Sequence, residues 1–358
     1  MDTIVQQLAG TIGAAAANKT PLRIVGGGTK DFYGNPSSGE TLSPTAYRGI
    51  IDYEPTELVI TARAGTPLVE IEAALNGKGQ MLAFDPPHFG AGTTLGGCIA
   101  AGLSGPRRAY AGAVRDLVLG LRMLDGKGTD LRFGGQVMKN VAGYDVSRLM
   151  AGAMGTLGVI LEVSLKTLPL PAAEITLRQR RDEANVIRLM NEWAGQPLPI
   201  SATAWTGGDL SIRLSGAPSA VEAACKKLGG EVIDPALAAR FWQGIRDHTD
   251  VFFKDGTLWR LSVKSTAPAI TLSGTQMIEW SGALRWLRTD ASADNVRGTA
   301  ANAGGHATLF RSHRGGSNIC ADSVFHPLSP ALASLHRKLK QTFDPCGILN
   351  PGRLYHGM

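Results

Sequence analysis

Val25-Gly26-Gly27-Gly28-Thr29-Lys30 follows a short apolar run, Leu22-Arg23-Ile24-Val25, that has the composition of a strand. Three successive residues without Cβ let backbone N–H groups approach a diphosphate, with the Thr29 hydroxyl and the Lys30 ammonium beside them. Taken alone, such a turn serves structure as readily as ligand binding. Its spacing is not the GxGxxG of a βαβ dinucleotide unit. A P-loop is excluded as well, because Lys127 is followed by Gly128 rather than by Ser or Thr.

Upstream of this loop, Ile4, Val5, Leu8 and Ile12 recur at helical spacing and predict an amphipathic helix over 3–17. Downstream, residues 58–64 read as a strand. Thr66 is expected as the N-cap of a helix with Pro67 at its first position, stopping at Gly77. A second stretch poor in side chain runs from Pro86-Pro87 through Thr94-Leu95-Gly96-Gly97-Cys98-Ile99-Ala100 to Ser104-Gly105 and Gly112. There a flat ring or a diphosphate could lie directly on backbone. Residues 118–124 and 129–133, joined through Asp125-Gly126-Lys127-Gly128, predict a β-hairpin. A third loop, Gly155-Thr156-Leu157-Gly158-Val159, enters a segment in which Val159, Leu161, Val163 and Leu165 alternate, the pattern of a half-buried strand. Each loop alone is a turn; three together favour one large planar dinucleotide held by backbone.

Composition agrees with a globular chain: 358 residues, 44% hydrophobic and 18% charged, are enough for two domains. The net charge of +6 suits an anionic cofactor, whereas nucleic acid is disfavoured because the basic residues are dispersed, without interleaved aromatics. Cys98, Cys225, Cys320 and Cys346 lie far apart, so the chain is expected to hold neither an iron–sulfur centre nor zinc. Free thiols, no basic leader after Met1 and no long apolar run lead us to expect a cytoplasmic protein. Any contact with the inner membrane would be peripheral and made through partners.

This order of motifs resembles the FAD-binding family of vanillyl-alcohol oxidase and PCMH. Its pyrophosphate loop is similar to residues 25–30, its Pro-Pro…Thr-Ile-Gly-Gly segment to Pro86-Pro87…Thr94-Leu95-Gly96-Gly97, and its Gly-Thr-Leu-Gly-Ile entry to Gly155-Thr156-Leu157-Gly158-Val159. Its closing Asp-Pro…Asn-Pro-Gly-Lys is similar to Asp344-Pro345…Asn350-Pro351-Gly352-Arg353, with Arg353 in place of Lys. Within that family the likeness is to FAD-binding subunits of glycolate oxidases, carried by Ser104-Gly105-Pro106-Arg107-Arg108, by the run from Val137 to Asp145, by Gly282-Ala283-Leu284-Arg285-Trp286-Leu287 and by Asn302-Ala303-Gly304-Gly305-His306-Ala307-Thr308.

The resemblance implies an α+β protein, a PCMH-type FAD-binding domain at 1–172 with a ferredoxin-like α+β cap at 173–325. Residues 326–358 would return to the FAD site. It implies FAD, bound noncovalently since the first loop has Lys30 and no His, and a complex with a second, longer FAD-binding subunit and an iron–sulfur subunit. Beyond the loops already quoted, Ala100, Arg115, Asp116, Lys139, Asn350 and Arg353 are expected at the cofactor, with Arg353, Lys139 or Arg115 near flavin N1.

Oxidising a 2-hydroxy acid needs a base and a carboxylate clamp, for which His306 and Arg311 are the candidates, with Arg260, Arg285 or Arg288 as further cations. His306 and His313 keep the spacing of a metal motif found in longer hydroxyacid dehydrogenases but lack its Gly-Asp-Gly-Asn core, so no metal is expected. Two alternatives stay open beside the subunit reading: a stand-alone 2-hydroxyacid dehydrogenase, and a non-catalytic assembly subunit. The tryptophans Trp205, Trp242, Trp259, Trp280 and Trp286 are expected in the core of the cap.

Overall fold

The computed structural model describes residues 2–135, 145–312 and 324–358. Chain contacts separate two units, Met1–Ser104 with Gly112–Leu170 and Pro327–Met358, and Gly105–Ala111 with Pro171–His326. The short excursion Gly105–Ala111, which the sequence reading kept in the FAD domain, belongs to the second unit.

The first unit is built on a five-stranded antiparallel sheet in the order Ile50–Glu54, Val59–Arg63, Val159–Lys166, Val118–Leu124 and Asp130–Gly134. The Val118–Leu124 hairpin closes at Asp125, whose Oδ1 accepts from Lys127 N and Thr129 N, each at 2.8 Å. Val159–Lys166 lies at the centre and is buried on both faces, Ile160 and Ser164 as well as Val159 and Leu161. That corrects the half-buried expectation. Val159 and Leu161 join a core formed by Val5, Leu8, Ile12 and Ala15 of helix Asp2–Asn18 with Leu22, Leu42, Leu124, Ile348 and Leu349. Burying one such aliphatic side chain is worth about 1.5–3 kcal/mol, so this cluster fixes the C-terminal segment against the N-terminal helix.

A second correction concerns Thr66. The helix is Leu68–Asn76 with Pro67 at the N-cap and no side-chain cap. The Thr66 hydroxyl accepts from Gly49 N at 2.8 Å and donates to Gly49 O, which removes it from capping.

The second unit contains an eight-stranded antiparallel sheet, ordered Glu231–Val232, Ala173–Arg180, Asp209–Gly216, Ile200–Thr206, Thr275–Glu279, Leu284–Arg288, Leu258–Ser262 and His306–Arg311. Its first half follows βαββαβ, with helices Glu183–Ala194 and Pro218–Leu228 as the crossovers, and is ferredoxin-like. The second half repeats that strand order in reverse and joins it through the Ile200–Thr206/Thr275–Glu279 pair. The sequence reading named one such module; two are present. At the far edge, Leu258 and Trp259 pair with Arg311 and Leu309, so Phe310 is an extra residue on that strand. Because side chains alternate along a strand, this bulge turns Arg311 to the face that carries His306 and Thr308.

Candidate functional site

In the first unit a cleft of about 910 Å³, counting the space open to solvent, is lined by residues 26–30, by Thr93, Thr94, Gly96, Gly97 and Ala100, by Gly155 and Gly158, and by Asn350 and Arg353. Three glycine-rich segments far apart in sequence therefore meet around one space. Three of their glycines leave no room for a side chain. A Cβ on Gly27 would lie 1.6 Å from Gly92 O, one on Gly26 would lie 2.7 Å from Thr94 Oγ1, and one on Gly96 would lie 2.8 Å from Ala64 Cβ. Such packing leaves a wall of peptide groups.

The remaining wall comes from the C-terminal segment. Asn350 accepts from Ile24 N through Oδ1 at 2.7 Å and donates from Nδ2 to Met154 O at 2.6 Å. Both Asn350 and Met154 have left-handed backbone, φ 41° and 51°, a strain that Asn tolerates and Met does not. Lys340 holds this segment from behind: its buried Nζ donates to Thr156 O, Leu349 O and Asp344 Oδ2. Burial pulls the Lys340 ammonium below its ordinary pKa, opposed by the Asp344 carboxylate. Arg353 donates to four backbone carbonyls, those of Asn35, Lys30, Asp31 and Tyr33. It thus ties down the turn that follows the first glycine loop. Burial lowers its pKa, with Asp31 raising it in part. Lys30 donates to His88 O at 3.2 Å, and the cleft wall also carries Arg23, paired with Asp31 at 2.6 Å.

Several expected cofactor residues lie elsewhere. Pro86 and Pro87 are buried but do not line the cleft, and Val159 points into the N-terminal core. Ser104 accepts from Val114 N, and Asp116 accepts from Ala113 N beside Gly112. Arg115 is exposed away from the cleft, and Gly105 belongs to the second unit. Lys139, most of the run from Val137 to Asp145, His313 and Cys320 lie outside the described residues. The sequence reading missed Arg23, Ile24, Met154 and Ile160 as lining residues. Ile24 could have been found by its place two residues before the first glycine of the loop.

In the second unit, His306 and Arg311 lie on the sheet face that also bears Arg260, paired in register with Thr308. The His306 imidazole is held below its ordinary pKa by burial and by the neighbouring charges of Arg260, His326 and Arg108. His248 is stacked on Phe253 at 3.9 Å, and burial pulls it well below the usual value, with Arg311 and Arg260 adding to the effect. Arg285, expected as a further site cation, is instead fully buried and donates to Gly282 O and Ala267 O. Its pKa falls to about 10 through burial, partly offset by Glu183. Arg288 packs over Phe252 and donates to Asp255 O. Trp280 and Trp286 are buried as expected, but Trp280 lies under two arginines. Among the described residues no three His, Cys, Asp or Glu side chains are grouped as a metal site, and no helix is long and apolar enough to cross a membrane.

A peptide-walled cleft rimmed by Arg23, Lys30 and Arg353 fits an anionic, planar dinucleotide. Residues 3–134 match the FAD binding domain and residues 288–354 match the C-terminal domain of FAD linked oxidases. The chain is an FAD-linked oxidoreductase, and its cofactor is FAD. Among solved structures, p-cresol methylhydroxylase with substrate bound aligns at TM-score 0.67 and 14% identity over 98% of this chain and 87% of that one. An alkyldihydroxyacetonephosphate synthase aligns at 0.66 and 16% over 97% and 75%, so both share the fold. Glycolate oxidase subunit GlcE of Escherichia coli (strain K12) is 50% identical over 98% of this chain and 97% of its own length, and the chain belongs to that family. Glycolate oxidase subunit GlcD of Bacillus subtilis (strain 168) is 34% identical over 36% of this chain and 27% of its own.

Proposed function

We propose that this chain is an FAD-binding subunit of a glycolate oxidase and takes part in oxidising glycolate to glyoxylate beside a longer flavin subunit and an iron–sulfur subunit. The observation that carries the reading is the near full-length likeness to the Escherichia coli subunit, seated on a cleft whose walls suit FAD. When bound, FAD supplies the two-electron acceptor for a carbon bearing a hydroxyl. The chain's own residues would bind and orient it, the peptide groups at 26–28 and 96–97 serving as donors to its diphosphate, while Arg353 fixes the 30–35 turn and Asn350 closes the wall. Binding is noncovalent. His306, whose pKa is lowered first by burial and then by the charges beside it, is suited to accept the hydroxyl proton, and Arg311 to hold the carboxylate.

A second reading, in which the chain alone oxidises a 2-hydroxy acid, draws on the cations gathered around His306. Anaerobic mixing with glycolate separates the two. The subunit reading predicts that the purified chain is yellow, releases FAD on denaturation, and has its visible flavin band bleached only when the partner subunits are present. Bleaching of the isolated chain would replace it with the second reading, and a colourless chain that takes up no FAD would overturn both.

A further inference from the structure

The charged side chains that line the cofactor cleft are gathered at the first glycine loop. Arg23 pairs with Asp31 at 2.6 Å, and Arg353 donates to the carbonyls of Lys30 and Asp31. A second part of the lining, Pro44, Thr45, Ala64, Gly65, Gly158 and Ile160, carries no ionisable side chain. Its walls adjoin one another. Ala64 N donates to Leu161 O at 2.7 Å, beside Ile160, and a Cβ on Gly65 would lie 2.5 Å from Thr45 O and 2.7 Å from Pro44 O. FAD is charged at its diphosphate and, once reduced, at the flavin, whereas its adenine is neutral and flat. The uncharged end of the cleft therefore suits adenine.

The turn of residues 44–47 makes one wall of that end, and its position is set from outside the cleft. Its peptide groups close on themselves and on Gly65: Tyr47 N donates to Pro44 O and Gly65 N to Tyr47 O, each at 2.9 Å. The Tyr47 side chain, 2% exposed, leaves the turn and lies under the Arg63 guanidinium, whose carbon is 5.3 Å from the ring centroid. Its hydroxyl donates to Glu162 Oε1 and accepts from Arg122 Nη1 at 3.1 Å. Arg122 in turn donates to the same Glu162 oxygen at 2.6 Å and grips Asp130 with Nε and Nη2. Burial first, and then the Glu162 carboxylate, raise the Tyr47 phenol above its ordinary pKa, against smaller opposing effects of Arg63 and Arg122. The hydroxyl stays a donor, with both its hydrogen-bonding roles filled. Tyr47, Glu162 and Arg122 do not themselves line the cleft. A network closed in this way fixes one geometry, because breaking any bond leaves a polar or charged group without its partner in a largely buried place.

We propose that Glu162, acting through Tyr47, is a positioning residue for the adenine end of the cleft, so that preference for FAD over FMN depends on an ionic cluster that does not line the cleft. Glu162 stands two residues along the central strand from Ile160, and Arg63 directly precedes Ala64. The cluster is thus braced on the two strands that carry or lead into that lining. The inference rests on FAD as the cofactor and is independent of glycolate as the substrate.

The test titrates the FAD-stripped full chain with FAD, with FMN, which lacks the adenylate, and with ADP in competition with FAD. Tyr47→Phe deletes one oxygen and keeps the ring under Arg63. FAD and ADP are expected to bind it about fivefold more weakly, and FMN equally well. Glu162→Ala should show the same pattern with a loss of about tenfold, and Glu162→Gln, which keeps an acceptor for the hydroxyl, should recover part of it. The exposed control Glu57→Gln should bind all three as the unaltered chain does. A merely structural role would lower the melting temperature and weaken FAD and FMN alike. Should the Glu162 variants fail to fold, Tyr47→Phe decides, together with hydrogen exchange in the unaltered chain, where FAD but not FMN should slow the amides of Tyr47 and Gly65. Equal losses for FAD and FMN, FAD affinity unchanged in folded variants, failure of ADP to compete, or equal protection by FAD and FMN overturns the proposal. Flavin bleaching by glycolate reports separately on the glycolate oxidase reading, so either idea can fail while the other stands.

Discussion

The cofactor cleft of the first unit and the cationic face of the second are built by opposite means. One is a surface from which side chains have been removed, so that Gly26, Gly27 and Gly96 bring peptide groups together. The other is crowded with large side chains, Arg108, Arg260, Trp280 and His306, held by strained backbone and a buried arginine. Removing side chains creates shape at little electrostatic cost and tolerates no added atom. Concentrating charge creates recognition that responds to pH and salt.

The sharpest way to break the contrast is Gly27→Ala. One methyl group would meet a carbonyl oxygen at 1.6 Å, and because that atom is backbone the whole loop has to move. We expect FAD affinity to fall by about 100-fold, roughly 2.7 kcal/mol, measured as flavin content and by titration of the stripped protein. Lys340→Met tests the wall from behind, because it leaves Asp344 buried without its ion-pair partner. A loss of about 3 kcal/mol in unfolding free energy is expected, read by urea denaturation, with weaker FAD retention.

Arg353→Lys tests whether charge or shape matters at the cleft rim. A lysine keeps the charge but lacks the planar fork that reaches several carbonyls at once. FAD affinity should drop about tenfold, or about 1.4 kcal/mol, with Arg353→Ala no better.

A further test concerns pH. His248 has a folded pKa depressed below its unfolded value of 6.5, so the unfolded chain binds the proton more readily. Stability is full above the unfolded pKa and declines as pH falls towards the folded one, by at most about 1.4 kcal/mol per pH unit. His248→Phe should flatten that slope in urea titrations at pH 7 and pH 5. A slope unchanged by the substitution would remove His248 from the account.

The two regions also differ in how far the sequence discloses them. The cleft was legible because missing side chains are visible as glycine, and Gly26, Thr94, Gly155 and Asn350 were all named from their motifs. Motif membership was less reliable for neighbours such as Pro86, Ser104 and Arg115, since a conformational residue and a lining residue look alike in a string. Arg353 was legible as the cation of the closing motif, but its four carbonyl partners depend on a turn that spacing does not encode. The charged face was harder still. Arg108, Arg260 and Trp280 come from three separate segments, and the excursion Gly105–Ala111 brings Arg108 to the other two. The bulge at Phe310, which sets Arg311 on the face of His306, has no sequence signal of its own. Likewise, the second ferredoxin-like half escaped notice because residues 263–274 replace its first crossover helix with irregular chain, leaving no βαβ rhythm to read.

The most direct test measures FAD binding in the unaltered chain and in Gly27→Ala. The expected result is one releasable FAD per unaltered chain and its loss in the variant, with the melting temperature of the second unit unchanged. FAD retained at full occupancy in Gly27→Ala would contradict a cleft whose function rests on glycine backbone.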